Sequence, residues 1–247
     1  MLEISWENVR KAEPNKRIEK VSIGAGEMVA LLGTNGAGKT TLIKEIFGMK
    51  PYPLAKVTLD GEPIGYKNLH RLALGSCEHT FFGEFTLEMQ REFYEMNFPK
   101  FRKDRFDLLT EYFKIPKRWK LKELSVGEKN QVETVFALCQ GADYIFLDEP
   151  FANNDIFHRK DFYKLLLGIL EENETLVIAT HLVEEVESVI GRVILIENFH
   201  VAADESVDAL DEAGKSVVDL MKEKYRYDEG RAAALIRRLE EKNEKED

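Results

Sequence analysis

Short apolar runs alternate with longer segments of mixed polarity along most of the chain. Such runs, bounded by Gly, Pro or charged residues, are typical of strands buried inside a sheet. They cover residues 28–32, 143–148, 175–179 and 192–197. Residues 40–47 and 156–170 carry apolar side chains at helical spacing, and Gly48 follows the first of these helices. Strands that alternate with helices predict an α/β fold with a largely parallel sheet.

Two further patterns add to this core. Residues 56–63 alternate in polarity and contain Asp60-Gly61, a dipeptide that favours a tight hairpin turn, so they predict an antiparallel β element. Residues 86–124 are polar, aromatic and helical in tendency. We expect them to form a helical subdomain inserted into the sheet.

The end of the chain has a different composition. From about residue 204 the apolar positions follow helical spacing, and residues 240–247 are almost all charged or polar. We therefore predict a main domain over residues 1–203 and a helical extension over 204–247, whose last residues are expected to be frayed.

Composition limits the classes of function. Hydrophobic residues make up 44% of the 247 residues, which is enough for a packed core. The formal net charge is -10, which argues against a general nucleic-acid binder. No apolar run approaches the roughly 20 residues that cross a bilayer, so a membrane role requires a partner. Cys77 and Cys139 are far apart, and the first residues do not resemble a secretory signal, which favours a reduced, cytosolic compartment.

A phosphate-binding loop follows the first buried strand. Residues 33–40 match G-x-x-x-x-G-K-[ST] in full, between a predicted strand and a predicted helix. Glycines let successive N–H groups point at one anion, and the N-terminal end of the helix adds positive potential. Lys39 is expected to contact the β- and γ-phosphates, and Thr40 to bind Mg²⁺ through its hydroxyl. The predicted nucleotide-binding residues are Gly33, Thr34, Asn35, Gly36, Ala37, Gly38, Lys39, Thr40 and Thr41.

A second buried strand ends in two acids, Asp148 and Glu149, followed by Pro150. Carboxylates at the end of a buried strand are costly unless a positive group lies beside them. Mg²⁺ held by a nucleotide is such a group. Asp148 is expected to hold the metal, and Glu149 to polarise the attacking water as general base.

Residues 124–128, Leu-Ser-Val-Gly-Glu, lie between these two motifs and resemble the signature motif of ATP-binding-cassette (ABC) ATPases. His181 follows the third strand, where that family has its switch histidine. The motifs occur in the family's order over roughly residues 2–203. The resemblance implies a P-loop NTPase cassette that binds ATP and Mg²⁺, and that hydrolyses ATP.

The resemblance also implies roles for further residues. Two cassettes would pair head to tail, with two ATP molecules between them. Ser125 and the main chain of Gly127 would reach the γ-phosphate held by the other subunit, as part of the signature residues Ser125, Val126, Gly127 and Glu128. His181 would contact the γ-phosphate and hold the attacking water together with Glu149. Asp155 would communicate between the two sites.

The chain departs from the family pattern beside the metal site. A glutamine usually follows the strand that precedes the helical insert, and an ungapped match places Cys77 there, with Glu78 next to it. A carboxylate is a better Mg²⁺ ligand than a soft thiol. Glu78 is therefore the favoured metal-shell residue, together with Thr40 and Asp148.

Three other departures concern contacts between subunits and with the base. Val126 replaces the usual glycine and Glu128 the usual glutamine. Residues 152–155, Ala-Asn-Asn-Asp, replace a Ser-x-Leu-Asp pattern, so communication between the sites is expected to differ. The aromatic residue that stacks on adenine has no evident counterpart, because its place falls near Ala12, and Trp6 is a poor second candidate.

The finer resemblance favours a transporter. Residues 93–113 resemble the helical insert of a subgroup of bacterial ABC exporters that are linked to membrane-active peptides. A second cassette, identical or paralogous, and a separate transmembrane permease are the implied partners, with the chain on the inner face of the cell membrane. Phe81, Phe82 and Phe85 are candidates for contact with the permease. Within transport, export is favoured over import. The alternative is a soluble ABC ATPase such as that of iron–sulfur cluster assembly, or another ABC ATPase outside transport.

Overall fold

A computed structural model describes residues 1–5, 20–50, 55–150 and 156–225 of the chain, with the main chain alone at 156–160. The strands are β1 (Leu2–Ser5), β2 (Lys20–Ile23), β3 (Met28–Leu32), β4 (Lys56–Leu59), β5 (Glu62–Pro63), β6 (Leu72–Ser76), β7 (Tyr144–Asp148), β8 (Thr175–Thr180), β9 (Arg192–Glu197) and β10 (His200–Ser206). The helices are α1 (Lys39–Ile46), α2 (Leu87–Asn97), α3 (Lys103–Tyr112), α4 (Val126–Cys139), α5 (Ile156–Ile169), α6 (Val183–Val186), α7 (Val207–Glu212) and α8 (Val217–Lys224).

The larger sheet has six strands in the order β10-β9-β3-β8-β7-β6. All neighbouring pairs from β9 to β6 are parallel, and only β10 runs antiparallel. The predicted α/β fold with a largely parallel sheet is confirmed. Because parallel strands end at one edge, Leu32 of β3 aligns with Thr180 of β8, and Asp148 of β7 aligns with Ser76 of β6. This carboxyl edge is where ligands bind in open α/β sheets.

The smaller sheet is antiparallel, in the order β2-β1-β4-β5. The predicted turn at Asp60-Gly61 is present between β4 and β5, with positive φ angles of 54° and 83°. The expected antiparallel β element is thereby confirmed.

Two apolar cores cover the faces of the larger sheet, which explains why its strands are continuously apolar. Alternate residues of β7 point to opposite faces. Ile145 and Leu147 join the core formed with α4, α5 and α8, whereas Tyr144 and Phe146 join the core shared with α1 and the smaller sheet.

The segment between β6 and β7 is helical. Helices α2 and α3 lie within the range 86–124 that the sequence assigns to an inserted subdomain, and α4 leads back to β7. The last strand, β10, ends at Ser206, a little beyond the predicted domain end at residue 203. Among the described residues, no helix has both the length and the apolar character needed to cross a bilayer.

Candidate functional site

The loop between β3 and α1 wraps into an anion cradle. Gly36 and Gly38 have φ angles of 81° and 111°, a region that favours glycine. The Ala37 N–H donates to the Thr34 carbonyl at 3.0 Å, which closes the turn. A Cβ atom on Gly38 would lie 2.6 Å from a ring carbon of Phe199, so this position also has no room for a side chain.

Lys39, the first residue of α1, folds back over this loop. Its side chain is only 6% exposed, and its Nζ donates to the Gly33 carbonyl at 2.8 Å. The same Nζ lies 3.5 Å from Oε1 of Glu149. The ammonium group therefore joins the phosphate loop to the end of β7.

Asp148 ends β7 in a buried position, with 1% exposure. The Thr40 side chain hydrogen-bonds the Asp148 carboxylate. The Oδ1 atom of Asp148, however, is buried without a hydrogen-bond partner. Burial raises the pKa of Asp148, the Thr40 bond opposes this, and the charge of Glu149 raises it further. A buried carboxylate oxygen that lacks a donor beside a threonine hydroxyl is a donor set that fits Mg²⁺.

Glu149 adopts an uncommon main-chain conformation for a residue with a side chain, with φ of 47°. Its N–H donates to the Ala179 carbonyl at 2.8 Å, which holds the turn against β8. The turn directs the carboxylate toward His181, whose Nδ1 lies 2.9 Å from Oε1. Strained conformations of this kind are tolerated where the surrounding structure fixes them, most often at functional sites.

Thr180 is a site residue that the sequence analysis did not single out. Its hydroxyl donates to Oε2 of Glu149 at 3.3 Å and accepts the Leu182 N–H at 3.1 Å. It therefore orients the carboxylate and shapes the turn that presents His181. In the sequence, Thr180 could have been recognised by its position directly before His181 at the end of a buried strand.

Glu78 and Cys77 follow the end of β6, next to Asp148. A cavity of about 40 Å³ is lined by Glu78, Thr40 and Asp148, among others. The Glu78 carboxylate lies 2.5 Å from Nζ of Lys44 on the exposed side of this cavity. Burial raises the pKa of the Cys77 thiol, and the charge of Asp148 raises it further, so the thiolate is disfavoured as a ligand.

The loop of residues 124–128, hereafter the signature loop, begins helix α4. Ser125 caps the helix, and its hydroxyl donates to Oε2 of Glu128 at 2.7 Å while accepting the Glu128 N–H. The Ser125 N–H donates to the same carboxylate oxygen at 2.8 Å. This is a reciprocal capping box. Val126, although apolar, is 56% exposed beside it.

Tyr225, which directly follows α8, contacts the phosphate loop. The Tyr225 hydroxyl donates to the Ile196 carbonyl of β9 at 2.9 Å. Burial raises the pKa of this phenol, and a hydrogen bond from the Thr34 main chain lowers it. Thr34, His181 and Tyr225 also line one open cavity of about 620 Å³.

The family assignment follows from a comparison with protein-family models. The ABC transporter family model matches residues 18–152, which is more than half of the chain. The chain belongs to the ABC transporter family. Members with this domain are ATPases that bind nucleotide, and the chain is an ATP-binding subunit of this kind.

Individual relatives agree with this assignment. The chain is 29% identical over 211 residues to the lipopolysaccharide export system ATP-binding protein LptB of Haemophilus influenzae, covering 78% of this chain and 86% of that protein. It is 29% identical over 230 residues to the Nod factor export ATP-binding protein I of Burkholderia orbicola, covering 88% and 76%. A solved ATP-binding subunit of an ABC transporter matches with a TM-score of 0.74 and 22% identity over 91% of this chain and 97% of that one, which supports the fold.

The geometry brings together the residues predicted for the phosphate loop, the acidic end of β7 and the switch histidine. Lys39, Glu149 and His181 form one connected group, with Asp148 and Thr40 beside it. Asp155, the rest of the loop 152–155, Ala12 and Trp6 lie outside the described residues.

The phenylalanines proposed for contact with a permease differ in their exposure. Phe82 is 48% exposed and packs against Phe85 and Phe93. Phe81, by contrast, is only partly exposed, since it packs against the main core and stacks on His79. Of the three phenylalanines expected as exposed contacts, Phe82 has the character of a surface residue, and Phe81 does not.

Proposed function

We propose that this ABC subunit hydrolyses Mg²⁺-bound ATP at a site completed by a second cassette, and that it powers export through a separate membrane-embedded permease. The observation that carries the proposal is the setting of Glu149. Its carboxylate is held by Thr180 and His181 and lies beside Lys39 at the phosphate loop. A carboxylate held in this way is suited to accept a proton from water that attacks the γ-phosphate.

The neighbouring groups have complementary roles in this proposal. The phosphate-loop amides and Lys39 bind the β- and γ-phosphates, and Thr40 and Asp148 hold Mg²⁺, with Glu78 contributing through the shared cavity. The metal supplies positive charge to the phosphate oxygens. His181 positions both the carboxylate and the water.

The exposed signature loop supports the second part of the proposal. Ser125, Val126 and Gly127 begin the long helix α4, whose N-terminal amides favour an anion. Ser125 and Val126 face solvent, so the first turn of α4 is accessible to a second subunit. In the proposed head-to-tail pair, these residues complete the γ-phosphate site of the other subunit, and Asp155 links the two sites.

Two features support a role in export. The relatives named above are export ATP-binding proteins by their names. Phe82, Phe85 and Phe93 form a partly exposed aromatic cluster, and such clusters commonly anchor partner proteins. The cluster is the proposed docking point for the permease, which would hold the subunit at the cytoplasmic face of the membrane.

Glu149→Gln tests the shared site. The variant is expected to bind ATP but to lose turnover. In the presence of Mg²⁺ and ATP it should therefore accumulate as a stable pair of subunits, which light scattering after gel filtration measures. Adding Ser125→Arg to this variant should abolish the pair while each monomer still binds ATP. Wild-type turnover in Glu149→Gln, or a pair that survives Ser125→Arg, would contradict the proposal.

Export through a permease is tested separately. The tagged subunit is expressed in its source cell and purified in detergent, and the proteins bound to it are identified by mass spectrometry. A membrane protein with several apolar helices is expected to copurify, and Phe82→Ser is expected to weaken this association without changing ATP binding. Failure to copurify would favour an ABC ATPase that works without a membrane subunit.

A further inference from the structure

The loop that leaves the end of β6 lies between the nucleotide site and the helical segment. This β6 loop comprises residues 77–82 and carries Cys77 and Glu78. Its start is fixed by Ser76, whose hydroxyl accepts the Glu78 N–H at 3.2 Å. His79 then turns the chain with a left-handed φ of 51°. The loop is therefore held at its site end, and its remaining contacts decide how it joins the rest of the subunit.

Glu133, on helix α4, grips the far part of this loop. Its side chain is 3% exposed, and its carboxylate accepts the N–H groups of Thr80 and Phe81, the latter at 3.1 Å. The Thr80 hydroxyl also donates to it, at 3.0 Å. One buried carboxylate thus receives three donors from two successive loop residues. Charge-assisted bonds of this type are stronger than those between neutral groups.

A second contact reinforces the first. Asn130, one turn earlier on α4 and equally buried, bonds the His79 ring through Oδ1 at 2.8 Å. From helix α2, the Tyr94 hydroxyl hydrogen-bonds the Thr80 side chain. The loop is therefore tied to two helices through His79 and Thr80.

This arrangement is costly. Burial raises the pKa of Glu133 to about 7, although the Thr80 and Phe81 hydrogen bonds lower it. An apolar residue at position 133 would avoid that cost, because most of the α4 residues around it are apolar and buried. The carboxylate holds the loop in a fixed position relative to α4, the helix that Ser125 caps.

We propose that Glu133 is a positioning residue that fixes the β6 loop, with Cys77 and Glu78, to the signature helix α4. Cys77 and Glu78, at the metal side of the nucleotide site, are then held in a fixed position relative to the helix that Ser125 caps. The attachment of the β6 loop to α4 rests on the contacts alone, whereas the effect of Glu133 on turnover rests on the proposed function.

Hydrogen exchange tests the contact directly, since the Thr80 and Phe81 amides are the donors. In nucleotide-free Glu133→Leu, which keeps the buried volume, these amides are expected to exchange at least about tenfold faster than in wild type. Glu133→Gln keeps an acceptor oxygen and should restore most of the protection. Thr134→Val is the matched control, because the Thr134 hydroxyl is equally buried but donates within its own helix to the Asn130 carbonyl.

Kinetics then separate positioning from general damage. Glu133→Leu is expected to lower kcat about tenfold, while the ATP affinity measured without Mg²⁺ stays unchanged, because the phosphate-loop contacts are intact. Unchanged exchange at Thr80 and Phe81 in Glu133→Leu, or equal acceleration in Thr134→Val, would overturn the positioning role. If wild type itself lacks turnover, the proposed function fails, whereas the exchange result still decides the role of Glu133.

Discussion

The imidazole Nδ1 of His181 lies 2.9 Å from Oε1 of Glu149, and the same oxygen lies 3.5 Å from Nζ of Lys39. One carboxylate oxygen thus faces the histidine and the lysine, while the other takes the Thr180 hydroxyl. The rotation of the carboxylate is therefore fixed on both sides. This leaves its lone pairs in a defined direction before any nucleotide arrives.

Removal of the His181 ring should free that rotation. His181→Ala is expected to lower kcat by about two orders of magnitude, the lower end of what a positioned general base contributes, because Glu149 loses the partner that orients it. ATP affinity should change little, because Lys39 and the loop amides keep their contacts. Steady-state ATPase assays with a fluorescent-nucleotide titration measure both quantities. Thr180→Val is the companion variant, and a drop in affinity equal to the drop in kcat would contradict this role.

Asp148→Asn should separate stability from function. Burial raises the pKa of Asp148, so keeping it ionised costs the folded chain free energy at neutral pH. The amide removes that cost, and the variant is expected to unfold at a higher temperature than wild type without nucleotide. Its Mg²⁺-dependent turnover should be lost. A lower melting temperature at pH 8 would argue against a strained, ionised carboxylate at this position.

Glu128→Gln should strengthen the pairing of subunits. The Glu128 carboxylate accepts both the Ser125 hydroxyl, which the γ-phosphate of the partner would need, and the Ser125 N–H, and its charge repels that phosphate. A neutral amide keeps the capping geometry without the charge. We expect the ATP concentration for half-maximal pairing in the Glu149→Gln background to fall about fivefold, close to 1 kcal/mol.

Glu123 offers the control for this experiment. Its carboxylate accepts the Lys120 N–H in a similar cap just before the signature loop. Glu123→Gln makes the same change of net charge and should leave pairing unchanged. Equal effects of both variants would assign the result to net charge rather than to Ser125.

The pH dependence of the free energy of unfolding should reveal the raised pKa of Glu133. Burial raises its pKa from the ordinary value of 4.5 to about 7, so the folded chain binds the proton more tightly than the unfolded chain. Relative to Glu133→Gln, wild type is therefore expected to lose stability as pH rises from about 4.5 to about 7. The loss is at most about 3 to 4 kcal/mol, at roughly 1.4 kcal/mol per pKa unit. Urea unfolding at pH 5 and pH 8 measures it, and parallel curves for both proteins would contradict it.

The β6 loop allows a direct comparison of Cys77 with its neighbour Glu78. Glu78 lines the cavity shared with Thr40 and Asp148, whereas burial, and then the nearby negative charges, raise the pKa of Cys77 and disfavour its thiolate. Glu78→Ala should therefore lower Mg²⁺-dependent turnover more than Cys77→Ser does. Titration of turnover against Mg²⁺ concentration tests this, and the reverse order would assign the role to Cys77.

Local patterns were sufficient for strands β3, β7, β8 and β9, for helices α1 and α5, and for the phosphate loop. The strand predicted at 28–32 is β3, and the helix predicted at 156–170 is α5, because apolar spacing depends on neighbours in sequence. Long-range contacts were not accessible in this way. Nothing in the sequence distinguishes Glu133 from an exposed helical glutamate, since its donors, Thr80 and Phe81, are about fifty positions away. For the same reason Phe81 was expected at the surface although it packs on the core.

The hydroxyl of Tyr225 joins the strand edge at Ile196 to the entrance of the phosphate loop at Thr34. Tyr225 therefore supports the loop that is expected to bind phosphate, although it lies beyond β10. A fragment that ended at β10 would lose this support of Thr34. Affinities measured on such a fragment are expected to understate those of the whole subunit.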